Sequence, residues 1–135
     1  MSKSLAEKLT ERELITVNEN DKLLDAINKL VKYNIGAIPV INNNKKLVGI
    51  ISERDIVKAL SNYKNKDYSI LLVNQLMTKT VISCEKEVLS DKLMELMTIN
   101  KIRHIPIVEN NAPIGIVSIG AVSYTHLTLP TNGCV

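Results

Sequence analysis

The sequence predicts an α+β fold made of two β-α-β-β-α repeats related by pseudo-two-fold symmetry. The first observation is a repeated motif, Gly36-Ala37-Ile38-Pro39-Val40, whose counterpart is Arg103-His104-Ile105-Pro106-Ile107. The second is a constant period, because the prolines of these two motifs have the same separation as Ile15 and Ile82. The third is length, since half of a 135-residue chain would bury only a marginal core. A long repeat that occurs only twice indicates a paired domain rather than a solenoid.

The first half has the pattern of one complete repeat, and we expect this repeat to span residues 8–62. Helical spacing of Leu5 and Leu9 predicts a short helix over residues 4–12. A β-rich run at 14–17 follows, and Asn20 or Asp21 can cap the next helix. The other signals are helically spaced Leu24, Ile27, Leu30 and Val31, strands at 36–41 and 47–51, a polar turn at 42–46, and a helix from Ser52 to about Leu60.

The second half repeats this order after a linker, which we place at residues 63–72. We expect a truncated repeat over 73–120, with strands at 81–84, 104–108 and 114–118. Ser90 can cap a helix that carries Leu93, Met94, Leu96 and Met97. The prolines remove a strand N–H, so the two Ile-Pro segments are expected to be edge-like or bulged. A last helix opened by Ser118 is expected from the symmetry, but its pattern is absent.

The C-terminal segment, 121–135, differs from the rest of the chain in composition. It contains no Asp, Glu, Lys or Arg, and Pro130 and Gly133 would interrupt a helix. Residues 123–131 also resemble the translated adapter read-through that ends some metagenomic sequences. We therefore expect a foreign tail from about residue 121 and assign His126 and Cys134 no function.

Composition excludes several classes of function. Trp and Phe are absent and the net charge is only +3, which argues against a nucleic-acid-binding surface. Cys84 and Cys134 form no metal-ligand spacing, and Cys84 fits a small core residue better than a reactive thiol. No apolar run is long enough to span a bilayer, so we expect a soluble cytoplasmic protein without membrane association. No catalytic triad, metal cluster or glycine-rich phosphate loop is present, so we expect no enzyme and no metal.

The segment Gly49-Ile50-Ile51-Ser52-Glu53-Arg54-Asp55 carries the strongest chemical signal. A buried strand ends at a helix start that offers a hydroxyl, free amides and a carboxylate three residues later. Free amides at a helix start favour phosphate, and the carboxylate can accept hydrogen bonds from ribose hydroxyls. The alternative interpretation is an ordinary helix cap formed by Ser52 and Asp55.

A second signal lies at the entry to the strand at 104–108. Lys101, Arg103 and His104 place three potential cations within four residues, and a guanidinium suits a phosphate. The alternative interpretation is a solvated strand edge.

These motifs together closely resemble a tandem CBS (cystathionine-β-synthase) domain pair, or Bateman module, over about residues 8–120. The similarity is greatest to small stand-alone bacterial CBS-pair proteins. The resemblance implies two repeats packed sheet to sheet, with two clefts that take AMP, ADP or ATP, or less often S-adenosylmethionine. In each cleft the Ser/Thr-x-x-Asp helix start of one copy faces the first strand and the x-x-Ile-Pro segment of the other.

Carried onto this chain, the resemblance implies two unequal clefts. The first would use Ser52, Arg54, Asp55, Val81, Ile82, Ser83, Ile102, Arg103, His104, Ile105 and Pro106. The second and weaker cleft would use Ile15, Thr16, Gly36, Ala37, Ile38, Pro39 and Ser118. Its ribose carboxylate should stand three residues after Ser118, where this chain has Ala121.

The sequence therefore predicts a regulatory module that senses adenine nucleotides and needs no other cofactor. We expect a homodimer formed through helices beside the clefts. The sequence does not indicate which protein the module regulates. The alternatives are a dimerisation scaffold that binds no ligand and a sensor of an S-adenosyl ligand.

Overall fold

The computed structural model describes residues 4–10, 13–63 and 67–122, and its mixed architecture confirms the α+β prediction. The helices are α1 (Leu5–Leu9), α2 (Leu23–Lys32), α3 (Glu53–Asn62), α4 (Val73–Leu76) and α5 (Ser90–Asn100), with a 3-10 turn at Tyr68–Ile70. The strands are β1 (Val17–Asn18), β2 (Ala37–Ile41), β3 (Leu47–Ser52), β4 (His104–Glu109) and β5 (Ala112–Ser118). The chain divides into two compact units. One contains residues 15–81 with 111–113, and the other contains the segment before residue 15, residues 82–110 and the chain from 114.

The unit of residues 15–81 contains a three-stranded sheet in the order β1-β2-β3. β1 is parallel to β2, with Val17 opposite Val40, and β2 is antiparallel to β3. β2 is the central strand of this sheet, but β1 pairs with it only at Val40 and Ile41, so this part of the sheet does not decide whether Pro39 is edge-like. The register shifts between Val40 and Ile41, so the expected irregularity is present one residue beyond the proline.

β4 and β5 form a hairpin that belongs to the other unit except for residues 111–113, which are counted with the first. Asn110 and Asn111 both have positive φ, 53° and 65°, as a tight two-residue hairpin turn requires. The turn is therefore shorter than the connection of residues 109–113 that the predicted strands at 104–108 and 114–118 leave between them. The expected strand at 81–84 is reduced to a single parallel bridge between Cys84 and Ile107. Cys84 follows Val17 at the same separation as Ile107 follows Val40, so the internal repeat is present in the backbone pairing.

The short helix that opens each repeat packs into the core of the unit that holds most of the other repeat. Ala6 of α1 is fully buried in a cluster with Leu93, Met97 and Ile105. Val73 of α4 is fully buried in the cluster around Ile38 and its neighbours in the first repeat. Each unit therefore combines most of one repeat with the opening helix of the other.

The helix starts differ from two of the sequence expectations. α2 begins after Lys22, which has no side-chain cap, because the Asp21 carboxylate accepts from the Asn18 N–H at 2.9 Å instead. Ser90 is the first residue of α5 and Leu89 holds the cap position. α1 is shorter than expected, although Ser4 and Glu7 form a complete capping box.

The described residues beyond β5 correct the expectation that the last helix has no start. Residues 119–122 are helical, and the Ser118 hydroxyl accepts from the Ala121 N–H at 3.4 Å. Val122 is fully buried with Val117. The greater part of the expected foreign tail lies outside the described residues. Within the residues described, no helix has the length and apolar character needed to cross a bilayer.

Candidate functional site

The start of α3 is a closed hydrogen-bonded turn centred on Asp55. Ser52 ends β3 in an extended conformation, and its hydroxyl accepts from the Asp55 N–H at 3.4 Å. The Asp55 Oδ2 accepts from the Ser52 N–H at 2.9 Å and from the Ser52 hydroxyl at 3.0 Å. Asp55 is only 7% exposed. The helix-cap interpretation is thus correct as a description of local structure, and it holds a carboxylate at the end of a buried strand.

Thr78 completes the environment of this carboxylate and was missed by sequence reasoning. Its hydroxyl donates to Asp55 Oδ1 at 3.0 Å. A carboxylate has about four acceptor positions, and these described contacts fill three of them. Among the described residues, no donor fills the remaining position on Oδ1. Thr78 is 23 residues from Asp55 and no local pattern in the sequence marks it.

The close approach of Thr78 depends on Gly49. The backbone of Thr78 exchanges two hydrogen bonds with Ile50, at 2.9 and 3.0 Å. A Cβ on Gly49 would stand 2.6 Å from the Met77 sulfur and 3.0 Å from the Thr78 carbonyl oxygen. Glycine at position 49 therefore allows residues 77–78 to lie against β3.

Replacing Gly49 by alanine is expected to lower the free energy of unfolding by about 1–3 kcal/mol, because the added methyl group overpacks a buried contact. Urea denaturation followed by circular dichroism measures this change. Gly120→Ala is the matched control, since a Cβ there meets nothing nearer than the Ser118 hydroxyl at 3.9 Å. Equal stability of the two variants would contradict the argument for Gly49.

The other residues assigned to the first cleft are distributed over both units. Arg54 is exposed on α3, Val81 and Ile82 are half-buried, and Ser83 is exposed. In the unit of β4 and β5, Arg103 is exposed, His104 is half-buried, and Ile105 and Pro106 are buried. Ile102 follows Lys101, which adopts the left-handed conformation that ends α5. The Arg103 carbonyl accepts from the Ile119 N–H at 2.7 Å, which places this strand entry beside the helix start at Ser118.

The residues assigned to the second cleft show the equivalent arrangement in the unit of residues 15–81. Ala37 pairs with Ser52, and the Gly36 carbonyl accepts from the Glu53 N–H at 3.0 Å. Ile38 and Pro39 are buried, whereas Ile15 is half-buried. The Thr16 carbonyl accepts from the Lys29 ammonium at 2.8 Å, a contact that the sequence analysis did not predict. Each unit therefore holds its own Ile-Pro strand next to its own serine helix start.

An apolar groove of about 520 Å³ runs between α2 and α3 in the same unit. Its walls include Ile27, Val31, Ile56 and Val57. Val31 is 76% exposed and Val57 is 64% exposed, so much of this apolar surface faces solvent.

The helical spacing of α2 correctly predicted that Leu30 lies in the core. The other buried residues of this helix are Leu23 and Ala26, which the spacing did not single out.

Cys84 is half-buried and packs against the core of its unit. Burial raises the pKa of its thiol, an effect that the neighbouring Lys92 charge partly offsets. A raised pKa keeps the thiol neutral and a poor nucleophile near pH 7. Among the described residues, no cluster of His, Cys, Asp and Glu could hold a metal ion.

Comparison with known proteins decides the family. The CBS domain profile matches the chain twice, over residues 6–62 and 73–123. This chain belongs to the CBS-domain family. The second match ends close to the start of the uncharged tail, which is consistent with a foreign segment there.

Similar CBS proteins occur both within enzymes and as separate pairs. The chain is 36% identical over 115 residues to an inosine-5'-monophosphate dehydrogenase of Methanocaldococcus jannaschii, covering 84% of this chain but only 22% of the dehydrogenase. The CBS protein ATU1752 of Agrobacterium tumefaciens has a crystal structure that matches with a TM-score of 0.80 and 33% identity, covering 90% of this chain and 98% of the other. The CBS pair of protein MJ0100, in complex with 5'-methylthioadenosine and S-adenosyl-L-methionine, matches with a TM-score of 0.81 and 28% identity, covering 93% and 97% of the two chains.

Proposed function

We propose that this CBS pair is a non-catalytic regulatory module that binds an adenine nucleotide, AMP, ADP or ATP. The observation that carries the proposal is the buried Asp55 carboxylate, fixed by Ser52 and Thr78 with one acceptor position unfilled. A ribose hydroxyl is a donor that suits this position, and the resulting hydrogen bond to a charged acceptor is strong. The MJ0100 relative supports this ligand class, because both of its ligands contain adenosine.

We propose that the nucleotide-binding residues are those of the first set. Ser52, Arg54 and Asp55 would bind ribose and phosphate, and residues 81–83 would meet the base. Ile102, Ile105 and Pro106 would supply apolar contacts, while Arg103 and His104 would meet the phosphates. Family membership supports the joint role of these segments, and the exposed Arg103 suits an anionic group.

An S-adenosyl ligand is the second candidate, since the MJ0100 pair is in complex with one. It presents the same ribose to Asp55 but carries a sulfonium and an amino acid in place of phosphate. Arg103 and His104 favour a phosphate-bearing ligand over this cationic one.

We also propose that the protein is a homodimer in which the α2–α3 groove packs against its copy in a second chain. A two-fold dimer is the commonest closed assembly and buries the same patch on both partners. The exposed Val31 and Val57 beside the groove supply an apolar surface for this contact. A scaffold that forms this dimer and binds no ligand is the remaining alternative.

Calorimetric titration of the protein with AMP, ADP, ATP and S-adenosylmethionine tests the proposal. We expect saturable binding of at least one nucleotide, with S-adenosylmethionine bound more weakly. Guanosine monophosphate is the control for base recognition. A folded protein that gives no binding heat or thermal shift with any of these ligands would favour the scaffold.

A further inference from the structure

We propose that α5 carries a second surface for self-association, at which α5 of one chain packs antiparallel against α5 of another. The surface is distinct from the α2–α3 groove, and the proposal depends neither on that groove nor on ligand binding. It consists of four side chains along one edge of α5 and its cap, which we call the α5 stripe. These are Leu89, Lys92, Leu96 and Ile99.

Both ends of the α5 stripe are apolar side chains that face solvent. Leu89 is 68% exposed and Ile99 is 69% exposed. Leu96 lies between them and is only partly buried against the core around Leu93. Residues three or four positions apart are neighbours on a helix surface, so these side chains form one continuous row. A row of exposed apolar side chains is typical of an interaction surface.

The matching row of α2 is charged at every position. α2 and α5 align from their first residues, because Lys22 and Leu89 hold the equivalent cap positions. On this alignment, the residues of the α2 row are Lys22, Asp25, Lys29 and Lys32. Since α2 packs onto its own repeat with a lysine at each end of this row, packing within a repeat does not require Leu89 or Ile99. A contact with another molecule accounts for both.

The spacing of the α5 stripe is the same in both directions along the helix. Its residues are separated by three, four and three positions, so a reversed copy of the helix matches the stripe residue by residue. A two-fold axis relates such a pair of helices. It would place Leu89 of one chain against Ile99 of the other. Lys92 would then lie against Leu96 of the other chain, which its aliphatic stem can cover while the ammonium stays in water.

The charges beside the stripe are complementary to those of a second copy. Lys92 and Glu95 form an ion pair at 2.9 Å, and their side chains are 58% and 54% exposed. In the antiparallel pair, Lys92 of each chain lies beside Glu95 of the other, so the four charges alternate in sign. The same arrangement of α2 would place Lys22 against Lys32, and like charges facing each other oppose association. A second copy of α5 is therefore the partner that this surface fits.

The α5 contact is expected to be weaker than the groove contact. One helix edge buries less than the roughly 1,200 Å² of a standard interface, a size typical of weak and transient contacts. Dimers formed through the groove would therefore appear first, and α5 would join them at higher protein concentration. The Val31→Lys/Val57→Lys protein, in which the groove is blocked, isolates the α5 contact.

Sedimentation equilibrium of the groove-blocked protein at high concentration tests the proposal, and we expect a reversible dimer. Adding Leu89→Lys/Ile99→Lys gives α5 the lysines of the first repeat and should raise the dissociation constant at least about tenfold, because lysines then face each other. Thr98→Lys is the control, since Thr98 is exposed on the same helix but lies outside the stripe. It should change the constant by less than about threefold.

Charge reversal tests the antiparallel arrangement itself. Lys92→Glu and Glu95→Lys, made singly in the groove-blocked protein, should each weaken association by about threefold or more, because like charges then meet. The exchange Lys92→Glu/Glu95→Lys restores alternation and should recover the original constant to within about twofold. Recovery supports the proposed pairing, because non-specific apolar association would not depend on which residue carries which charge.

Circular dichroism establishes that each variant is folded, and Leu89→Ser/Ile99→Ser replaces the lysine pair if that protein does not fold. A groove-blocked protein that stays monomeric at the highest soluble concentration overturns the proposal. So does a folded stripe variant that associates as strongly as the Thr98→Lys protein, or a charge exchange that recovers nothing. Nucleotide is absent from all these measurements, so a failure of the proposed function leaves the test intact.

Discussion

Asp55→Ala is expected to weaken AMP binding by roughly 30- to 150-fold. This factor corresponds to the loss of one hydrogen bond to a charged acceptor, about 2–3 kcal/mol. The Ser52 N–H and the Thr78 hydroxyl also lose their acceptor, so the free energy of unfolding should fall by about 1–3 kcal/mol. Calorimetric titration measures the affinity, and thermal unfolding without ligand measures the stability.

Two further variants separate binding from folding. Asp55→Asn keeps the shape of the side chain and retains an acceptor oxygen, but it removes the charge. Glu53→Ala changes an exposed acid in the same helical turn and should leave AMP affinity within about threefold, because exposed charges interact weakly. An Asp55→Ala protein that remains folded and binds AMP as tightly as the unmodified chain would refute the ribose role.

The double substitution Val31→Lys/Val57→Lys is expected to convert the proposed dimer to a monomer. A two-fold interface would bury four added ammonium groups, and each unpaired buried charge costs several kcal/mol. The dimer dissociation constant should therefore rise by more than about 100-fold. Sedimentation equilibrium over a range of protein concentrations measures this constant.

The monomer itself should tolerate these lysines. Both valines are mostly exposed, and a cation near the end of α2 interacts favourably with the helix dipole. Ile70→Lys is the control, because Ile70 is 71% exposed but does not line the groove. A double variant that dimerises as strongly as the Ile70→Lys protein would exclude this face as the interface.

Much of the fold was predictable because its signals are local or periodic. The period of the repeat predicted two equivalent strand pairs, and the Val17–Val40 and Cys84–Ile107 bridges preserve it. The Ser52–Asp55 cap was also predictable, since a serine followed three residues later by an acid forms bonds within one turn.

What the sequence could not predict depends on contacts between distant segments. Thr78 reaches Asp55 only because residues 77–78 lie against β3, and Lys29 meets Thr16 only after α2 has packed. Helical spacing in α2 could not tell Leu23 from Leu24, because both lie near one apolar face and the packing partner decides which is buried. The prediction of a strand at 81–84 was largely wrong, because β-rich composition does not ensure a hydrogen-bonded neighbour strand for every residue.

The reciprocal placement of α1 and α4 has a consequence for how such a protein could arise by gene duplication. An ancestral chain of one repeat would carry a helix that belongs in the core of a second copy, as Ala6 and Val73 do in the present molecule. Such an ancestor would fold by exchanging helices between two chains, and fusion of the two genes would make that exchange intramolecular. Cutting the present chain between residues 63 and 67 should therefore yield two fragments that are unstable alone and regain structure when mixed.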